Sequence, residues 1–291
     1  MIVIADSGST KTLWCFVSRN MGITKVHTSG MNPNFITKTD YNIINQTLLP
    51  YITNFDPIEN VYFYGAGCGT QNGKDKIKQL LQKTFANAYI SVETDMLGAC
   101  IGSCGNASGI VGILGTGSNS CLYNNGTIIQ NIPALGYTLC DEGSGNHIGK
   151  LLLKTYLRGF MPSDLCCDFK NKYPYDTSYF LDHLYNQPFP NRFLASFAPF
   201  AFEHRQHPFM GQLLHKVFQS FFEEQIICYD GYNDYKLHLV GSVAYCFENE
   251  IAKVAKEYGI TIASIEQSPI DGLISLLSRP YLPLFNLNAY H

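Results

Sequence analysis

No stretch of this sequence reaches the ~20 consecutive apolar residues that cross a bilayer as a helix, so no membrane partner is expected. Nor is there a run of lysine and arginine, and the formal net charge is −3. The electrostatic footprint of a nucleic-acid binder is therefore missing. Charged residues make up only 15% of the chain against 46% hydrophobic, a balance that excludes a disordered tail and fits a folded globule. The first residues lack a basic segment leading into an apolar core, and Asp6 stands where such a core would run, so the expected location is the cytoplasm. None of the ten cysteines forms a Cys-x-x-Cys pair. Without a secretion signal they are expected to be free thiols, mostly small buried hydrophobes in apolar runs (Cys15, Cys100, Cys121, Cys228, Cys246). Zinc is poorly supported by Cys100 and Cys104, four apart, or by the adjacent Cys166 and Cys167.

Two common phosphate loops are also missing. "SGNHIGKL" (144–151) has Ser144 where a P-loop needs its first glycine and Leu151 where it needs the magnesium-binding hydroxyl. "GAGCGT" (65–70) is G-x-G-x-G, short of the dinucleotide fingerprint, and "GTGSNS" (115–120) leads into a strand instead of a helix.

What is present begins at residue 4 with "IADSGSTKTLWCFV". Two β-rich runs flank a turn of small residues, Ser7 to Thr12, with Asp6 at its start. Such a turn exposes backbone N–H groups and hydroxyls that can nest phosphate oxygens. Asp6 is then placed to bind Mg²⁺ through water. A plain hairpin turn is the competing account. Beyond it, "KVHTSG" reads as a third strand. Helical spacing follows at 40–54 and 74–86, "NVYFYGAG" and "AYISVETD" read as strands, and a helix starts at 96. The pattern is βββαβα, and it restarts at "GIVGILGTGSNSCLYNNGTIIQNI". There Thr116-Gly117-Ser118-Asn119 parallels Ser7-Gly8-Ser9-Thr10, with Gly8 and Gly117 109 residues apart. Helical stretches at 147–158, 179–186, 192–204, 211–229, 246–258 and 270–278 interrupt or follow this copy, with strands at "YKLHLVGSVA" and "GITIAS". A chain of 291 residues accommodates two domains. The duplication implies two related lobes with a cleft between them: residues 1–106, completed by a C-terminal helix at about 279–291, and residues 107–278 with helical insertions.

Asp6-x-Gly8-x-Thr10-x-Thr12 resembles the first phosphate motif of the actin/hexokinase/Hsp70 ATPase superfamily. "LGTGSNS" resembles its second, and "HLVGSVAYCF" (238–247) its adenosine motif. "GTGSN" (115–119) and "GYTLCDEGSG" (136–145) are similar to segments of the BadF/BadG/BcrA/BcrD ATPase family, which includes N-acetylglucosamine kinase. The resemblance implies an α/β fold of two duplicated ribonuclease H-like lobes, and an ATP- and Mg²⁺-dependent kinase of a sugar hydroxyl that works as a homodimer on a small-molecule sugar. It implies ATP contacts at Asp6, Gly8, Ser9, Thr10, Thr12, Gly115, Thr116, Gly117 and Ser118, with Gly241, Ser242 and Ala244 bordering the adenine. Sugar contacts fall on Asn34 or its neighbour Asn32, on Asn119, Gly136 and Asp141. Asp95 falls where these kinases carry their catalytic carboxylate. Departures are Gly241-Ser242 in place of a glycine pair, and Ala134-Leu135-Gly136 in place of a Gly-aromatic-Gly segment.

From the residues alone Asp95 reads as a helix N-cap, Asp141 and Glu142 as acids favoured by a helix dipole, Asn32 and Asn34 as turn residues, and His204 and His207 as surface residues. With the resemblance, Asp95 becomes a general base toward the attacking hydroxyl. Two rivals stand beside this reading. An activase-type ATPase driving a partner protein would turn over ATP without sugar and hold an iron–sulfur cluster. A non-catalytic sugar or nucleotide sensor would bind without turnover.

Overall fold

The computed structural model describes residues 1–18, 22–53 and 56–278. Its contacts divide the chain into two units. One is Met1–Ala107 with the chain from Ser268 onward, and the other is Ser108–Gln267.

The first unit holds β1 (Ile2–Ser7), β2 (Lys11–Ser18), β3 (Gly22–Ser29), α1 (Lys38–Thr53), β4 (Asn60–Gly65), α2 (Gln71–Thr84), β5 (Tyr89–Thr94) and α3 (Asp95–Cys104). The sheet order is β3-β2-β1-β4-β5, antiparallel across the opening meander and parallel from β1 through β4 to β5. One βα step thus extends the βββαβα pattern. Strand β1 is a near-continuous apolar run because both of its faces are covered, as in parallel sheets generally. Val3 and Ala5 pack with Trp14, Phe63 and the α1 and α2 residues Leu48, Ile77 and Leu81. Ile2 and Ile4 pack with Cys15, Val17 and, from α12 (Ile270–Leu277), Ile270, Leu273 and Ile274. Trp14 is fully buried, and its indole N–H donates to Thr28 Oγ1 at 2.9 Å.

The second unit holds β6 (Gly109–Leu114), β7 (Ser118–Asn124), β8 (Thr127–Asn131), α4 (Gly145–Leu157), α5 (Ser163–Lys172), α6 (Thr177–Tyr185), α7 (Pro190–Ala195), α8 (Ala198–Glu203), α9 (Pro208–Phe221), β9 (Leu237–Val240), α10 (Ser242–Cys246), α11 (Glu248–Glu257) and β10 (Ile262–Glu266). Its order, β10-β9-β6-β7-β8, repeats the first sheet strand for strand, with the same parallel and antiparallel pairs. The duplication read from the sequence is therefore a duplication of topology.

Several boundaries move. The chain re-enters the first unit at Ser268, so α12 belongs there and not to a lobe running to 278. The helix expected at about 279–291 lies outside the described residues. The stretch 192–204 is two short helices, with Pro199 inside the first turn of the second; proline cannot donate the bond that would fuse them. Residues 246–258 break at Phe247. Helix α5 went unread because only Leu165 and Phe169 are buried on it, too few to show a period. All ten cysteines are free thiols, but Cys228 and Cys246 are exposed, against the expectation that apolar runs bury them.

Helices α3 and α12 cross through glycines. A Cβ on Gly272 would sit 1.8 Å from the Gly102 carbonyl oxygen, which is backbone and cannot rotate away. Gly211, inside α9, has open space around it. Gly272→Ala is therefore expected to lower stability by about 1–3 kcal/mol through overpacking. Gly211→Ala should raise it by about 0.5–1 kcal/mol through helix propensity. Denaturant unfolding of the two variants checks the opposite signs.

Candidate active site

Both three-residue hairpin turns sit at the carboxyl end of the strand that leads their sheet. In the first unit the turn is Gly8–Thr10, and in the second it is 115–117. The structural counterpart of Gly8 is thus Gly115, 107 residues on, and not Gly117. Each turn begins with an open glycine. A Cβ added at Gly8 would find Lys11 O at 3.7 Å, and one at Gly115 would find Gly117 O at 4.0 Å.

The first turn is held from beneath. Ser7 Oγ and Thr12 Oγ1 hydrogen-bond at 2.8 Å, Thr12 donates to Ser29 O, and the Met31 amide donates to Ser7 Oγ. Thr12 is fully buried. This corrects its assignment as an ATP contact, because its hydroxyl is spent on the turn's foundation. Gly8 N–H donates to Lys11 O and Gly30 N–H to Thr10 O. Gly30 backs the turn so closely that a Cβ there would lie 2.4 Å from Gly8 O. Gly8 and Thr10 are exposed and Ser9 half-buried.

Parallel pairing gathers three more groups at the same edge. Asp6 stands one residue before the end of β1, and Thr94-Asp95 at the end of β5, with β4 between them. Burial raises the Asp6 carboxyl above its ordinary value, while Ser268 and the Lys11 ammonium pull it down. Ser268 Oγ donates to Asp6 Oδ2 at 2.7 Å; among the described residues Oδ1 accepts from nothing. A desolvated carboxylate with one open oxygen beside an open glycine turn and a lysine has the chemistry that a hydrated Mg²⁺ and a phosphate satisfy, so these residues fit both groups. Asp95 is not the N-cap. Thr94 takes that place, its Oγ1 accepting from the Leu97 amide, while Asp95 Oδ1 accepts from the Met96 amide at 2.9 Å and Oδ2 is left open among the described residues. Burial lifts Asp95 to about 6; the Met96 bond opposes this and the Asp6 charge adds to it. Of the two asparagines, Asn34 is exposed. Asn32 is 7% exposed, lies against Gly67, and its Oδ1 accepts from the Asn34 amide.

In the second unit a buried carboxylate organises the turn. Asp141, in left-handed backbone at φ 69°, accepts from the Ser118 amide through Oδ1 and from Asn146 Nδ2 through Oδ2, at 3.2 and 2.6 Å. Burial raises its carboxyl and these two bonds oppose the rise. With one bond on each oxygen and 8% exposure, Asp141 anchors its loop, and each oxygen keeps a second lone pair for a further donor. Ser118 is likewise buried, its amide on Asp141 and its Oγ accepting from Gln225, so it is no open phosphate contact. Gly145 and Asn146, the first residues of α4, donate to the carbonyls of Gly115 and Thr116. Gly136 is at φ 77° with open space around it, and Asn119 is half-buried.

At the third motif Gly241 has φ 123°, and a Cβ there would meet Leu114 O at 2.3 Å, so only glycine lets β9 turn into α10 beside β6. Ser242 is exposed. Ala244 is fully buried in the core, which corrects its placement at the adenine; Tyr245, 52% exposed, shows its ring at this turn instead. Gln225, Gly30, Ser268 and Tyr245 were missed. Tyr245 lay inside the quoted motif, but the others are brought in by contacts with no local signal. Among the described residues no group of three or more His, Cys, Asp or Glu side chains forms a metal site, and no helix is long and apolar enough to cross a membrane.

No protein-family model and no curated protein matches the chain. Solved structures do. A candidate N-acetylglucosamine kinase of Porphyromonas gingivalis is 39% identical, with a TM-score of 0.89 over 94% of this chain and 98% of its own. Another from Chromobacterium violaceum is 17% identical, with a TM-score of 0.71 over 95% and 98%. A ROK family glucokinase of Streptomyces griseus, in complex with glucose and AMPPNP, is 14% identical, with a TM-score of 0.53 over 90% and 93%. The last two show likeness of fold, the actin-like ATPase fold.

The Asp95 geometry has a consequence for stability. Its folded-state value, about 6, lies above the ordinary 3.8, so its contribution is complete below pH 3.8 and is lost as pH rises through 6. Asp95→Asn should therefore stabilise the protein at pH 8 by at most about 3 kcal/mol, and far less at pH 4. Denaturant midpoints at the two pH values check this; an equal effect at both would rule out a raised acid.

Proposed function

The chain belongs to the N-acetylglucosamine kinase-like family of actin-like ATPases, and from that premise we propose that it transfers the γ-phosphoryl group of ATP to a hydroxyl of an N-acetylated amino sugar, N-acetylglucosamine first among the acceptors. The observation that carries the reading is Asp95. It is a half-buried carboxylate at a strand's carboxyl end, freed from capping by Thr94, with one open oxygen and a value that desolvation lifts to about 6. Those are the properties of a general base that works near neutral pH.

In this reading Gly8, Ser9 and Thr10 in the first unit, and Gly115, Thr116 and Gly117 in the second, contact phosphate through backbone amides and hydroxyls. Asp6 holds Mg²⁺ through water, and Mg²⁺ supplies charge neutralisation at the phosphates. Gly241, Ser242 and the ring of Tyr245 border the adenosine. Asn32 faces the sugar in preference to the exposed Asn34, together with Asn119 and Gly136. Asp95 Oδ2 accepts the proton of the attacking hydroxyl. Asp141 holds its loop through Ser118 and offers a remaining lone pair to a sugar hydroxyl. A homodimer, a cytoplasmic location and a place in amino-sugar metabolism complete the proposal.

ATP consumption by the purified protein with Mg²⁺, across a sugar panel and a no-sugar control, tests it. N-acetylglucosamine should stimulate turnover, and Asp95→Asn should lower kcat by about 10²–10⁴-fold while AMPPNP still binds. Activity should fall as pH drops through about 6, where Asp95 takes up its proton. Equal ATP consumption without sugar would replace this reading with the activase type, and binding without turnover would favour the sensor.

A further inference from the structure

Helix α9 does not end as an α-helix. Its last turn, Phe222–Ile226, is a π turn, closed by the Ile227 amide donating to Phe222 O across five residues. An α-helix rotates about 100° per residue, so the wider turn resets which face the next side chains present. Such single π turns recur at functional sites. The residue this one delivers is Gln225, which is 5% exposed.

Gln225 makes three contacts with two distant segments. Its Nε2 donates to Ser118 Oγ at 2.9 Å and to Glu142 Oε2 at 2.8 Å, which uses both amide hydrogens. Its backbone carbonyl accepts from Ser120 Oγ at 2.7 Å. Ser120 and Tyr229 also share a hydrogen bond, and the Tyr229 hydroxyl accepts from the Ile132 amide. Ser118 and Ser120 are alternate residues of β7, so they face the same side of the strand, and Asn119 between them faces the other. Asn119 is the half-buried residue of the three. One buried glutamine thus grips both neighbours of Asn119 from behind. Among the described residues it is also the sole hydrogen-bond partner of the buried Glu142 carboxylate, next to the loop anchor Asp141.

We infer that Gln225 is a positioning residue: through Ser118, Ser120 and Glu142 it fixes how the 115–117 turn and Asn119 are presented to nucleotide and sugar. The inference rests on the kinase reading of that turn. A glutamine serving only to fill the core would be replaceable by methionine of similar shape without effect on the loop.

The test compares wild type, Gln225→Met and the exchange Gln225→Glu with Glu142→Gln. The exchange reverses the bond. The amide now stands at position 142 and donates to a carboxylate at position 225, the Ser118 hydroxyl turns to donate to that carboxylate as well, and net charge is unchanged. Three quantities are read: amide hydrogen exchange of the segment 115–121, the Kd of Mg·AMPPNP by calorimetry, and the split between KM for ATP and kcat. Gln225→Met should speed local exchange and weaken AMPPNP by at least about tenfold each, because it removes both side-chain hydrogen bonds and orphans the Glu142 carboxylate, with KM for ATP rising more than kcat falls. The exchange variant should return both to near wild-type values. The inference is overturned if Gln225→Met lowers only Tm while local exchange and Kd stay put, or if a folded exchange variant recovers neither. Phosphoryl transfer by the wild type is scored separately. A transfer-active wild type indifferent to Gln225 removes this inference alone. A nucleotide-binding wild type that phosphorylates no sugar, yet responds at residue 225, removes the kinase reading alone.

Discussion

Burial of the leading strand on both faces is the constraint from which the rest of each unit follows. With helices over both sides of β1, no polar side chain can be carried in its middle without an unmet desolvation cost. Polar groups are therefore driven to the strand ends. At the carboxyl ends the chain must turn, and there it also exposes backbone donors. Asp6, the Gly8–Thr10 turn and Asp95 all fall on that edge of the first sheet. The repeated topology puts the 115–117 turn and Asp141 in the corresponding place in the second.

The carboxylates show two ways of living with that position. Asp141 accepts from Ser118 and Asn146 and holds its loop. Asp95 and Asp6 each keep one oxygen without a hydrogen bond among the described residues, and burial raises both. An acid bonded at both oxygens stiffens a loop. One with an oxygen left open stores a preference for a proton, a cation or a substrate hydroxyl, which is how functional sites come to have shifted values. Burial separates Thr12, whose hydroxyl is consumed beneath its turn, from Thr10 two residues away, which is exposed.

The signals legible in the chain were local ones. The turn glycines, the acid preceding the first turn, the strand-first pattern and its repeat can all be read because each is set by short-range backbone chemistry. Asp95 could be placed at a strand–helix junction for the same reason. The choice between cap and free carboxylate was not legible. Thr94 and Asp95 are both competent caps, and only the coordinates show which hydroxyl or carboxylate reaches the Leu97 amide. Offsets misled as well. Matching Gly8 to Gly117 looked sound by residue type, whereas strand register matches it to Gly115.

By itself, then, the sequence determined the α/β class, the duplication and the two open turns, because these rest on residue types acting on their own backbone within a few positions. Tertiary structure alone decided which of the small polar residues are open and which are consumed. Ser268 reaches Asp6 from 262 residues away, Gln225 reaches Ser118 from 107, and Gly30 backs a turn it does not adjoin in the chain. Hydrogen-bond capacity is finite at each atom. Whether a hydroxyl or carboxylate remains available to a ligand depends on every distant group that folding brings within about 3 Å, and no local pattern encodes that.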